Sequence, residues 1–236
     1  GKWIGNHRRL LLTLLAPFDI TDLGLRRSDT RLRTTQLQLG VVGPAAVGRQ
    51  VQHAVHKFTD SQDFRGWNNQ LRNEPLVGVV HERMRRWGDA DANAAGWGWD
   101  AISHWGGALG NRTTHANAGM EVRWGWHLPD DFGSTPLRPA GENTAPTRRG
   151  RPSGWSWHLF ATSDAAWVIR DITLDGNTFR NSHSVDKRHV VAYGGYGVAV
   201  MYGRWKFAAA RYHSTREFNG QREAPVFGSF TISRSL

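Results

Sequence analysis

The sequence predicts an all-β chain folded as an antiparallel up-and-down barrel. Three observations carry that reading: side chains alternate with period two, many segments are longer than ordinary globular strands, and the connections are either tight or long. From Asn117 to Leu128 the even positions are Ala118, Met120, Val122, Trp124, Trp126 and Leu128, and the odd ones are Asn117, Gly119, Glu121, Arg123, Gly125 and His127. Successive strand side chains point to opposite faces, so one face is apolar and aromatic while the other is small, polar or charged. Period alone fits both a soluble sandwich with an apolar core and a membrane barrel with an apolar outer wall. Length separates them: many segments run 11–16 residues, against about 5–6 in globular sheets and about 9–11 for a tilted membrane strand.

Taken in order, a weaker strand at Asp19–Arg27 precedes Thr35–Val41, where Thr35, Leu37, Leu39 and Val41 share a face. Leu76–Trp87 begins apolar and turns basic. Trp97–Leu109 sets Trp97, Trp99, Ala101, Ser103, Trp105, Gly107 and Leu109 against Asp100, Ile102 and His104. Asn117–Leu128, Trp155–Leu174, His189–Gly203, Trp205–Thr215 and Val226–Leu236 complete nine strands. Asn111-Arg112 and Gly203-Arg204 read as tight turns between neighbours. The connections 43–75, 130–153 and 175–187 are long and polar, and the middle one holds four prolines and a basic cluster.

Composition bounds the function loosely. The 236 residues fit a single domain, and a net charge of +10 suits an anionic partner. The charge is spread along the chain rather than gathered on one arm, so it singles out no partner. Absence of cysteine excludes disulfides, zinc-thiolate sites and cysteine nucleophiles. The 12 tryptophans suit a membrane–water boundary, where a ring is half apolar and half wet. No apolar run reaches the roughly 18–20 residues of a membrane helix, which leaves a barrel as the way to span.

The segment 43–75 is where chemistry is expected. Gly43-Pro44-Ala45-Ala46-Val47 leads into a short helix carrying Gln52, His53 and His56. Gln52 and His56 are four residues apart, so on a helix they share a face. A neutral imidazole there can take a proton from water while the amide orients ring or substrate; incidental histidines on a surface helix would show the same spacing. Gly66-Trp67-Asn68-Asn69-Gln70-Leu71, followed by Asn73-Glu74, closes the loop. Trp67 with Asn68, Asn69 and Gln70 can anchor the loop or contact substrate. His104 reads as a lumen histidine, and Asp175 and Asn177 as cation contacts or turn caps. The P-loop, dinucleotide and His-Glu-x-x-His patterns are absent, and so is the Gly-x-Ser-x-Gly elbow.

Gly-Val-Val-Gly-Pro, Gln52-x-x-x-His56 and Gly66-Trp67-x-Asn69-Gln70-Leu71 together resemble the lipid A 3′-O-deacylase family of outer-membrane β-barrels. The resemblance runs over roughly residues 22–236. Stretches 103–111, 116–119, 174–179 and 214–221 also resemble family signatures and read as barrel and loop architecture. It implies a 12-stranded transmembrane barrel in the bacterial outer membrane, a monomer acting on lipid A in lipopolysaccharide, with no nucleic-acid partner. It also implies His56 as the base that activates water, Gln52 beside it, and a Ca²⁺ ion polarising the ester carbonyl. Some members carry an acidic residue six positions after the histidine, where this chain has Gln62, with Asp60 and Asp63 nearby.

The chain departs from the family at its start. Residues 1–18 match nothing in it, and the Asn-Asp pair of the family's first strand has no counterpart, so the metal ligands are unknown. About nine strands against 12 imply an N-terminally incomplete barrel. Two other readings remain: an inactive or porin-like barrel that only binds lipopolysaccharide, and a soluble basic β-sandwich binding glycan or nucleic acid.

Overall fold

The computed structural model describes residues 18–22, 26–28, 30–50, 70–88, 96–134 and 154–234. Ten β segments follow one another: β1 (Phe18–Asp22), β2 (Arg26–Ser28), β3 (Arg31–Val42), β4 (Glu74–Trp87), β5 (Trp97–Gly110), β6 (Thr113–Trp126), β7 (Trp155–Asp171), β8 (Val190–Tyr202), β9 (Trp205–Ser214) and β10 (Val226–Arg234). All pair antiparallel in one sheet. β1 lies against residues 36–39 of β3 and β2 against residues 31–33, on the same side. They are two halves of one interrupted strand, so the sheet has the nine positions that the alternation predicts.

One boundary is corrected. β7 stops at Asp171 instead of continuing to Leu174, and Ile172–Asp175 forms a single helical turn, α1. The Asp171 carboxylate accepts from the Thr173 N–H at 2.8 Å, a cap that favours a helix start over further extension. Ile172 and Leu174 are buried by this turn, which is why the apolar alternation ran past the true strand end.

The sheet is inside-out relative to a soluble core. Eight of the ten tryptophans among the described residues are exposed, Trp99 at 62%, on the outward face with Leu109, Leu159, Ile169, Phe230 and Ile232. The buried face carries Asp100, His104, Glu121, Arg123 and His158, with Arg123 at 0% exposure. Water would penalise the outer face and lipid would welcome it, which overturns the soluble-sandwich reading. Aromatic rings gather toward one end of the wall: Trp97 stacks on Trp124 at 4.8 Å between centroids, and Trp126 and Trp157 meet Trp97 edge-on.

Curvature follows from what one segment touches. After β6 the chain turns back into the concave side, where Phe132 packs on Leu32 of β3 and Met84 of β4. In the same segment Asp131 accepts from Lys206 of β9 at 2.8 Å. In a flat sheet β3 and β9 would stand six strand spacings apart, about 29 Å, so the sheet must curl around this plug.

The plug is held by charge as well as packing. The Arg123 guanidinium donates to both Asp100 oxygens at 2.8 and 2.6 Å, to Asp131, and to the Pro129 carbonyl at 3.1 Å. Arg86 pairs with Asp130. Ser134 N–H donates to Glu121 at 2.9 Å, and Ser134 Oγ lies 2.8 Å from His158 Nε2. These ion pairs and hydrogen bonds fix the segment 129–134 against the concave face of the sheet at this end. No helix among the described residues is long and apolar enough to cross a membrane; the strands form the wall.

Candidate active-site rim

The loop expected to carry the chemistry leaves β3 after Val42 and returns at Glu74. Gln52, His53, His56, Asp60, Gln62, Asp63, Trp67, Asn68 and Asn69 lie outside the described residues. Its two stems are described, and they show how it is held. Pro44–Ala46 forms a 3₁₀ turn and residues 48–50 are helical, while the part of the expected short helix that carries Gln52 and His56 lies outside the described residues. Gly43 has φ +98°, and a Cβ there would lie 2.6 Å from the backbone of Arg72 and Asn73. Only glycine permits both the conformation and the approach. Asn73 Oδ1 then accepts from the Ala45 N–H at 2.8 Å, tying the outgoing stem to the returning one.

Glu74 is the centre of the clasp. As the first residue of β4 it faces inward and is 2% exposed. Its carboxylate accepts from Asn111 Nδ2 at 3.1 Å, Asn177 Nδ2 at 3.1 Å, and the backbone N–H groups of Thr178 at 2.8 Å and Phe179 at 3.3 Å. Asn177 also accepts from the Arg72 N–H and donates to the Arg72 carbonyl, both at 2.9 Å. One amide therefore reads both backbone groups of the returning stem. Underneath, Val42, Leu76 and Ile172 form an apolar cluster with Leu71 packed on it. Gln70, the one predicted site residue within the described residues, is half-buried beside this cluster at the loop's end.

Further polar groups line the same rim. Arg112 Nη1 donates to Gln38 Oε1 at 3.1 Å, and Arg170 Nη2 donates to the Gly176 carbonyl and Thr178 Oγ1, both at 2.9 Å. The loop after β9 docks on the loop after α1: the Arg188 N–H donates to the Glu217 carbonyl and Asn219 Nδ2 to Asp186. Three of the signature stretches, around Asn111, Asn177 and Phe218, thus converge on one end of the sheet.

Glu74, Arg112 and Arg170 were missed as site residues. Alternation from Leu76 and Val80 already places Glu74 inward, but nothing local reports a partner 103 residues away. Asp175 and Asn177 are brought to the rim, though as structural groups: Asp175 accepts from Lys187 Nζ at 2.7 Å and from the Asp171 N–H at 2.8 Å. His104 is in the lumen as expected, with Nε2 2.6 Å from Asp164 and 4.0 Å from Glu82.

The family model described as outer membrane protein LpxR matches residues 21–236. The chain belongs to this family. LpxR from Salmonella typhimurium is similar in structure, with a TM-score of 0.73 at 19% identity over 89% of this chain and 69% of that one. At that identity the likeness shows a shared fold. No curated protein matches the chain. As an LpxR-family barrel it is an outer-membrane protein, and its exposed tryptophan wall is the lipid-facing surface.

The described part of this LpxR-family rim does not fit a calcium site. No group of three or more His, Asp or Glu able to hold a metal occurs among the described residues. The Glu74 carboxylate is occupied by four donors and Asp175 by two.

Proposed function

We propose that this outer-membrane barrel is a lipid A deacylase that hydrolyses the 3′-linked acyloxyacyl ester, with His56 as the base. The single observation that supports this reading is the clasp. Both stems of the loop that carries Gln52 and His56 are fixed to the rim by Gly43, Asn73, Glu74 and Asn177. A base on a loop works only if the loop holds it at hydrogen-bond reach of its substrate.

In the proposed reaction the His56 imidazole takes a proton from water as the oxygen bonds to the ester carbonyl carbon. The bond from that carbon to the sugar 3-oxygen then breaks, and the imidazolium returns the proton to the leaving alkoxide. Gln52, one helical turn earlier, orients the ring or the acyl chain. Trp67, Asn68, Asn69 and Gln70 would support the loop or contact the substrate, and Gln62 stands in the sequence six positions after the base. Calcium dependence is a separate expectation, with no step here resting on it.

Mass spectrometry of lipid A from cells expressing the chain tests the proposal. Loss of the 3′ acyloxyacyl mass is expected with the parent and not with His56→Ala. Full activity of His56→Ala overturns the assignment.

A further inference from the structure

Among the described residues, the outer wall carries a cluster of arginines that neither the rim nor the lumen uses. β3 and β4 place Arg31 opposite Arg85 and Arg33 opposite Arg83. Their even-numbered neighbours Leu32, Thr34, Met84 and Arg86 are buried, so these four arginines face outward. Arg31, Arg33 and Arg85 are exposed and Arg83 is half-buried. Like charges directly across a ladder repel, and guanidinium groups are costly on a lipid-facing barrel wall unless they reach a polar boundary. Among the described residues no carboxylate lies on the outward face of β3, β4 or β5 to offset them.

Neighbouring aromatic residues hold two of the four in place. The Arg85 guanidinium lies 3.6 Å from the Trp87 ring centroid and that of Arg83 lies 4.8 Å from the Trp105 ring. Arg83 Nε also donates to His81 Nε2 at 3.3 Å. A guanidinium stacked on an indole keeps its N–H edge for an oxyanion, and phosphate oxygens match that fork. Trp87 is itself fixed, its indole N–H donating to Ser103 Oγ at 2.9 Å.

Position on the wall selects the phosphate. The arginines occupy the last outward rows of the β3–β4 pair, at the end opposite the 43–73 loop, while Leu37, Leu39, Val77 and Val79 form the apolar rows beyond them. Outer-membrane barrels keep their longer loops outside the cell and shorter turns toward the periplasm. Of the four connections longer than ten residues between β3 and β10, 43–73, 172–189 and 215–225 share one end, together with the short turn 111–112; the fourth, whose first part folds inward as the plug, lies at the other end with 88–96 and the turn 203–204. The arginine end thus faces the periplasm.

We infer that Arg31, Arg33, Arg83 and Arg85 form a binding site on the outer wall for the phosphate of an anionic glycerophospholipid in the inner leaflet. The lipid would supply negative charge to the outward face of β3 and β4 and would anchor the barrel at a fixed depth.

Native mass spectrometry of the full chain in detergent micelles tests this with phosphatidylglycerol, phosphatidylcholine of the same acyl chains, and lipid A. Phosphatidylglycerol adducts are expected to survive activation better than phosphatidylcholine adducts. Arg31→Gln with Arg33→Gln should weaken them roughly thirtyfold, and the double lysine variant should retain most of the binding. Arg211→Gln, at an isolated outward position on β9, should change nothing. Heat-modifiable migration checks that each variant folds. If the glutamine variant fails to fold, raising salt from about 0.1 to about 0.5 M on the parent must weaken phosphatidylglycerol selectively. Equal retention of both phospholipids, stronger binding of lipid A at these arginines, or no effect of charge removal or of salt overturns the inference.

Discussion

Glu74 and Asn177 lie 103 residues apart and meet at 3.1 Å at the rim, where the Asn177 amide also holds both backbone groups of Arg72. A single side chain from the loop after β7 therefore fixes the stem of the loop after β3. On the proposed reading, the placement of the base rests on side chains that hold the loop stem and take no part in the reaction.

Asn177→Ala removes three hydrogen bonds from the clasp and leaves the buried Glu74 with fewer donors. A cost of about 1–3 kcal/mol is expected for a buried polar group that loses its partner, confined to the loop stems. The barrel should still show heat-modifiable migration, while 3′ deacylation falls by about tenfold or more, since misplacement of a base is costly. Gly43→Ala should act in the same direction through the φ of +98° and the backbone of Arg72. Lipid A mass spectra beside a gel-shift assay check both. Unaltered deacylation in either variant would mean the stems do not position the loop.

Arg123→Met attacks the opposite end of the barrel. It would leave Asp100 and Asp131 buried without their shared cation. Loss of one partner from a buried ion pair costs about 3–5 kcal/mol, so the temperature of the gel shift should drop sharply. Adding Asp100→Asn and Asp131→Asn to the same chain should restore much of the loss. Thermal unfolding of the single and triple variants checks the pair.

Acid should weaken the plug in a defined window. Asp131 lies in the segment after β6, outside the strands. Burial alone would raise its pKa, but Lys206 and Arg123 outweigh it and hold the carboxyl well below the usual carboxylate range. A carboxyl depressed on folding stabilises the fold above its unfolded pKa of about 3.9 and loses that contribution as pH falls toward the folded value. Unfolding measured from pH 6 downward should be insensitive to this group until about pH 4 and then decline. Asp131→Asn should start less stable and show a shallower decline.

The wall was legible because a barrel in lipid keeps the simplest pattern a strand can have. Trp97, Trp99 and Trp105 against Asp100, Ile102 and His104 gave β5 its two faces, and only the sign of the faces awaited coordinates. The end of β7 was misread because Ile172 and Leu174 continue the apolar alternation while Asp171 caps a helical turn beneath the rim. Of the loop motifs, only the stems and Gln70 fall within the described residues. The clasp itself was not readable, because Glu74, Asn111 and Asn177 are joined across strands by hydrogen bonds with no period in the chain.

Tryptophan fluorescence tests which side of the sheet meets lipid. Trp97, Trp99, Trp105, Trp124, Trp155 and Trp167 are all exposed on the outward face, so in bilayers their rings should contact acyl chains or the interface. Phospholipids brominated on the acyl chain should quench most of the emission, and aqueous iodide should quench little. The emission maximum should move to longer wavelength when the protein is unfolded in urea, as the rings enter water. Strong iodide quenching with no response to brominated lipid would mean that this face lies in water, and the outward tryptophans would then need a protein partner to cover them.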